Sequence, residues 1–221
     1  MEIRDILKNM ACAFSCFKQA YRPGMTCGAL FEAFAASLQK SMPGYRIQYD
    51  FLCGADTVGV DGVTESGYVP QPGDTIILDA SVCQGGPWCD VARTFFVGAY
   101  TAEQAEAYEW VRKSIKAGEA TLRAGAAAGD VYDAVNAVYA AAGRTLIHHA
   151  GHRIGKKPLL PPQFLAGECG TILTDRFYTI ESGLYQPCGI RLENDYYIGK
   201  NGAENLFEDL MPLRIEDYIL S

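Results

Sequence analysis

The sequence has no apolar run near the ~20 residues that a membrane-spanning helix needs. Its first stretch, MEIRDILKNMACAF, mixes charges with polar interruptions and has no signal-peptide pattern. The expectation is a cytoplasmic protein. Basic residues are also short: 19 Lys and Arg stand against 26 Asp and Glu, a formal charge of −7. Phosphate-rich partners need a basic face, so nucleic acid and anionic membrane surfaces are excluded as partners. The eight cysteines, at positions 12, 16, 27, 53, 83, 89, 169 and 188, form no Cys-x-x-Cys pair. That disfavours a structural zinc. A chain of this length needs no disulfide stapling, so reduced thiols buried as small hydrophobes are expected. Low-complexity segments and an evident linker are missing too, which leaves residues 1–221 as a single domain long enough for a well-buried core.

Histidine is scarce as well. All three lie between positions 148 and 152, in the run HHAGHRIG. If this run is one arm of a metal or catalytic site, the rest of the chain must supply the other arms.

Periodicity organises the rest. Ile3, Leu7, Met10, Phe14 and Phe17 form one helical stripe over 3–21, and YRPGMT then breaks it, with Thr26 placed to cap a second helix carrying Leu30, Phe34 and Leu38. YRIQYDFLC alternates at strand period, with Ile47, Tyr49, Phe51 and Cys53 on one side. DTIILDASVC and CDVARTFFVG read as two strands joined by QGGPW. The pattern then resets. Thr101 and Gln104 have capping-box spacing at the head of a long helix, and a further helix is expected from a cap at Asp130 to Gly143. RFYTIESGLY and GIRLENDYYIG follow as strands, and Asn201-Gly202 as a tight turn. Helix, helix, strand hairpin thus occurs twice, which predicts an α+β domain of two similar halves.

Four acids sit in or beside these apolar strands: Asp79, Asp90, Glu181 and Glu193. Taken singly, each could serve a salt bridge or an exposed strand face. Jointly, each half donates two acids, one per hairpin arm, and facing hairpins would bring all four to one centre. An isolated buried carboxylate is costly and normally pairs with a cation or a metal. Four carboxylates and one imidazole make a hard, oxygen-rich site for one or two divalent ions such as manganese, iron, cobalt or zinc. Two bridged ions would lower the pKa of a shared water and give a nucleophile near neutral pH.

At these residues the chain resembles a known family. ILDASVCQGGPWCDVARTFFVG, HHAGHRIG, TIESGLY and GIRLEN are similar, in order, to the signature segments of the pita-bread metallopeptidases: methionine aminopeptidase, Xaa-Pro aminopeptidase, prolidase and the metal-free relative creatinase. YRPGMT and PQPGDTIILD match further phrases of the family, and Ser182 stands where it has proline. The Arg-x-Glu form of GIRLEN sides with the Xaa-Pro aminopeptidase and prolidase branch. The N-terminal domain usual in that branch is not expected, so the resemblance covers the catalytic domain.

The resemblance implies the pita-bread fold, two similar α/β halves around a curved antiparallel sheet. It implies two divalent ions (manganese, cobalt, iron or zinc) held by Asp79, Asp90, His152, Glu181 and Glu193. Glu181 would also take a proton from water, His148 would face the substrate, and Arg191 and Thr94 would orient the carboxylates. His149 matches no role and is expected to be a hydrogen-bonded loop histidine. The implied activity is metal-dependent hydrolysis of a short peptide or small amide, with proline near the cleaved bond, and a homodimer is admitted as the assembly. Two departures accompany this. The family's histidine on the loop around Gly62 and its histidine at the position of Leu159 are both missing. Each helps the substrate carbonyl or amine, and loss of one such donor costs about 10²–10³ in rate. A creatinase-like non-peptidase and a catalytically silent binding protein therefore stand beside the peptidase reading.

Overall fold

The computed structural model describes residues 1–221. Helix α1 (Ile3–Ala20) buries its apolar stripe, and the chain leaves it at Tyr21, ahead of Pro23. Thr26 caps α2 (Cys27–Ser41) by accepting from the Ala29 N–H at 3.3 Å. Three strands follow: β1 (Arg46–Cys53), β2 (Thr75–Cys83) and β3 (Cys89–Val97). Helix α3 (Ala102–Thr121) opens on the expected capping box, with Gln104 N donating to Thr101 Oγ1 at 3.1 Å and Thr101 N to Gln104 Oε1 at 2.9 Å.

Helix α4 (Ala128–Ala140) departs from expectation at its start. Ala127 is the capping residue, and Asp130 lies one turn in, accepting from the Ala127 N–H at 3.3 Å. An acid suits that first turn, where free N–H groups concentrate positive charge. Gly143 follows at φ +68°, as a helix-closing glycine should.

The second half holds β4 (His152–Ile154), β5 (Leu160–Gln163), β6 (Arg176–Leu184), β7 (Ile190–Gly199), β8 (Gly202–Asn205) and, near the C-terminus, β9 (Ile219–Leu220). The short strands β4, β5, β8 and β9 are too brief for periodicity to mark. Between β7 and β8 the two turn residues are Lys200 and Asn201, because Gly199 and Gly202 are themselves paired. The strand order is β1-β2-β3-β7-β6-β4-β5, with β8 on β7 and β9 on β3. Every pairing is antiparallel except β3 with β9. Pro161 and Pro162 sit in β5, at the sheet edge, where a missing N–H disrupts no ladder.

The two expected halves meet here: hairpin β2–β3 joins hairpin β6–β7 through Ala92 opposite Glu193. One face of the curled sheet packs on the helices through Ile76, Leu78, Ala80, Val91, Phe95, Ile180, Leu192 and Tyr196, all buried in the main core. Side chains on a strand alternate between faces, so the residues between these point to the other side. No helix is long and apolar enough to cross a membrane. All eight cysteines are free. Cys27, Cys53, Cys83 and Cys89 are buried as expected, but Cys12 and Cys16, one turn apart on the outer face of α1, and Cys169 are exposed.

Candidate metal centre

Cross-strand register builds the site. Asp50 pairs with Asp79, Asp79 with Ala92, Ala92 with Glu193, and Glu193 with Glu181, one row across five strands. Directly paired residues share a face. Four acids therefore project from the concave side, and Asp90, two positions before Ala92, joins them. Gly151 brings in the imidazole. Its φ is +125°, and a Cβ there would run into the Thr179 carbonyl, so glycine lets the 148–152 loop lie against β6 and deliver His152.

Asp79, Asp90, His152, Glu181 and Glu193 all line one cavity of about 310 Å³, together with Asp50, Asp61, Ser81, His148, His149, Arg191, Gln48, Tyr49, Val60, Pro158 and Leu159. Within it, donor atoms of Asp90, His152 and Glu193 lie within 4.8 Å of one another, as do those of His148, His149 and Glu181. His152 Nε2 stands 3.6 Å from Asp90 Oδ2. Glu193 is 2% exposed, and its Oε1 has no hydrogen-bond partner.

Arg191 is the cavity's one arginine, and its donors are committed. It donates to Asp79 Oδ2 at 2.8 Å, Asp50 Oδ2 at 3.0 Å, the Tyr185 hydroxyl at 3.0 Å and the Val60 carbonyl. A guanidinium cannot accept, so Tyr185 turns its own proton to His148 Nε2 at 3.0 Å. His148 must then carry its hydrogen on Nδ1, which donates to the His149 carbonyl at 2.6 Å. Both ring nitrogens of His148 are thus engaged by the protein.

Electrostatics reflect too many acids for one cation. Burial, opposed by Arg191, pushes Asp79 up to about 7. Burial, then the charge of a neighbouring acid, lifts Asp90 and Glu193 well above the usual carboxylate range. Burial also acts on Glu181, but His148, Arg191, His149 and His152 outweigh it and hold Glu181 below its ordinary value. Burial lowers His148, and lowers His152 to about 4, so both are neutral near pH 7. Arg191, with Nε 3.5 Å from Glu181 Oε1, is the permanent positive charge beside Glu181. Buried, partly unpartnered carboxylates beside a neutral imidazole fit a divalent cation, which supplies the missing positive charge.

A model of metallopeptidase family M24 matches residues 2–200. The chain belongs to metallopeptidase family M24. This M24 chain is 29% identical over 138 residues to the probable dipeptidase PepE of Mycobacterium tuberculosis, covering 60% of the chain and 37% of that relative. It is 27% identical over 149 residues to the Xaa-Pro dipeptidase of Lactobacillus helveticus, covering 66% and 40%. The chain thus spans well under half the length of either relative. Among solved structures, the X-Pro aminopeptidase of Thermotoga maritima superposes with a TM-score of 0.90 at 21% identity, over 98% of this chain and 62% of that one. The prolidase of Pyrococcus furiosus gives 0.87 at 20% identity, over 93% and 62%. The fold is the pita-bread fold expected from the sequence, and the family is one of divalent-metal-dependent hydrolases.

Of the residues singled out in this M24 chain, Thr94 is placed differently. Thr94 touches no carboxylate. It is buried and bonds the main chain of Arg191, donating to its carbonyl and accepting from its N–H, both at 2.8 Å. Thr94 lies two residues beyond Ala92, level with Arg191, so it reaches that residue's backbone instead. His149 is the hydrogen-bonded loop histidine expected, its Nδ1 accepting from the Gly151 N–H at 3.3 Å, and it also lines the cavity, with Nδ1 3.4 Å from Glu181 Oε2. At one position lacking histidine, Leu159 lines the cavity with Pro158 as an apolar wall, and the loop around the other, near Gly62, lines it with Val60 and Asp61.

Four residues escaped the sequence reading. Asp50 and Ser81 lie on the acid face, Asp195 is buried and accepts from the Asp90 N–H at 3.1 Å, and Tyr185 links Arg191 to His148. Asp195 continues the every-second-residue series Arg191, Glu193, and Asp50 occupies a polar position of an alternating strand, so both carried a signal. Tyr185 carried none.

Proposed function

We propose that this chain is the catalytic unit of a metallopeptidase that hydrolyses short peptides, including those with proline near the cleaved bond. The observation that carries the proposal is the acid row with His152 beside it, and a buried Glu193 oxygen left unpartnered. Asp90, His152 and Glu193 would hold a divalent cation (manganese, cobalt, iron or zinc), with Glu181 and Asp79 adjoining, and a second ion would draw on these two acids. A cation bound there supplies Lewis acidity, lowering the pKa of water and polarising a carbonyl.

The chain's own residues do the remainder. Glu181, beside the Arg191 charge, accepts a proton from the attacking water. Tyr185 fixes the tautomer of His148 at the cavity wall. The Pro158–Leu159 wall takes an apolar substrate side chain. That same wall supports slow turnover, since it donates no hydrogen bond to a carbonyl oxygen. It also favours a second reading, a peptide-binding protein that keeps its ion for stability. Free cysteines are in keeping with a reducing cytoplasm.

Metal-reconstituted wild type and Glu181→Gln, assayed on a panel of di- and tripeptides, separate the readings. Slow metal-dependent hydrolysis by wild type that disappears in the amide variant is expected. Equal turnover by both, zero included, removes the peptidase reading in favour of the binding protein.

A further inference from the structure

We propose that His149 is an ion ligand in this chain, its Nδ1 sharing a divalent cation with Glu181. This rests on the cavity being an ion site, for which the unpartnered, buried Glu193 Oε1 is the independent sign.

The relevant atoms are Nδ1 of His149 and Oε2 of Glu181, 3.4 Å apart. Nδ1 is on the receiving side of the Gly151 N–H at 3.3 Å, so it bears a lone pair and no proton. Nδ1 and Oε2 thus face each other as two possible ligand atoms of one donor group, the arrangement of two ligands about a shared cation. The spacing suits one. Two ligands at about 2.0–2.1 Å from a tetrahedral ion lie about 3.3–3.4 Å apart. His152 Nε2 and Asp90 Oδ2, at 3.6 Å, show nearly the same separation in the other donor group. The Gly151 contact is long and gives way to an ion at small cost.

His148, the third member of its donor group, is disqualified because Tyr185 and the His149 carbonyl occupy both its nitrogens. Asp79 gives one of its two oxygens, Oδ2, to Arg191. The ion environment is therefore richer in imidazole and poorer in free carboxylate than the acid row alone suggests. His149 is 24% exposed at its side chain, which places this ligand on the open side of the cavity. Imidazole favours zinc, cobalt and nickel over manganese and magnesium, so the chain should select ions of the first group.

The test uses the metal-stripped full chain, titrated with zinc and separately with manganese against a chromophoric chelator, and cobalt loading followed by visible absorption. His149→Ala is expected to weaken zinc by about 10–100-fold, the range seen even for groups one bond further from a metal. It should leave manganese nearly unchanged and alter the cobalt bands. Zinc affinity and cobalt bands equal to wild type overturn the proposal. So do equal losses of both ions, because a collapsed site loses ions regardless of their chemistry. If the alanine variant fails to fold, as read by thermal unfolding without metal, His149→Asn keeps an acceptor for the Gly151 N–H and is titrated in its place, with the same outcomes expected. Asp90→Asn separates the two claims. Loss of binding there with none in the His149 variants removes His149 alone, whereas wild type that takes up no ion removes the ion site itself.

Discussion

Ala92 on β3 lies directly across from Glu193 on β7, and this pairing joins the two hairpins that carry the acids. The methyl group of Ala92 points to the acid face, where a longer side chain would enter the space between Asp79 and Glu193. Ala92→Leu should abolish ion uptake while costing about 1–3 kcal/mol of stability from overpacking. Calorimetric titration beside urea unfolding checks both. Normal ion affinity in that variant would mean that the row does not converge on the ion.

Stability without metal should fall as pH rises. Asp79, Asp90 and Glu193 have folded-state values above their unfolded ones, so the native state holds extra protons and its advantage is lost as pH climbs through those values. For Asp79 the window runs from 3.8 to about 7, worth at most about 4 kcal/mol. A thermal midpoint several degrees lower at pH 8 than at pH 5 is expected, with a larger rise on adding zinc at pH 8. A midpoint that climbs over this range contradicts the reading.

Arg191→Gln removes the positive charge that Asp50, Asp79 and Glu181 share. Breaking a buried charge pair typically costs about 3–5 kcal/mol. The cost should shrink at pH 5, where Asp79 holds a proton and needs the arginine less. Urea unfolding at both pH values reads this directly, and a pH-independent cost would show that Arg191 acts through packing.

Thr94→Val deletes the two hydrogen bonds to the Arg191 backbone. A loss of about 1–3 kcal/mol is expected for leaving those buried groups unmet. Ion affinity should stay close to wild type, because Thr94 reaches no carboxylate. A large fall in affinity would restore Thr94 to the role of orienting the acids.

Ion uptake should also release protons, since Asp90 and Glu193 must ionise to bind. Zinc titrations in buffers of different ionisation enthalpy count those protons. A count of zero at pH 6.5 would mean that these acids are already ionised in the metal-free chain.

Much of this was legible in the sequence because strand period is a local property. Alternation in TIILDASV and GIRLENDYYI assigns most apolar residues to one face and Asp79, Glu193 and Arg191 to the other, with Ile77 sharing the face of Asp79. The capping box at Thr101 and the stop at Pro23 are equally local. The start of α4 was misplaced by three residues because an acid is favoured both as a cap and within the first turn, and sequence spacing does not separate the two. What the sequence could not contain is register and reach. That Ala92 meets Glu193 depends on how two hairpins far apart in the chain dock. That Tyr185 accepts a hydrogen bond from Arg191 and donates its own to His148 depends on three side chains converging from the end of β6, from β7 and from the 148–152 loop. His149 shows the division most clearly. Its neighbours identify the loop, but a single residue has no period, and only tertiary packing sets its Nδ1 against Glu181.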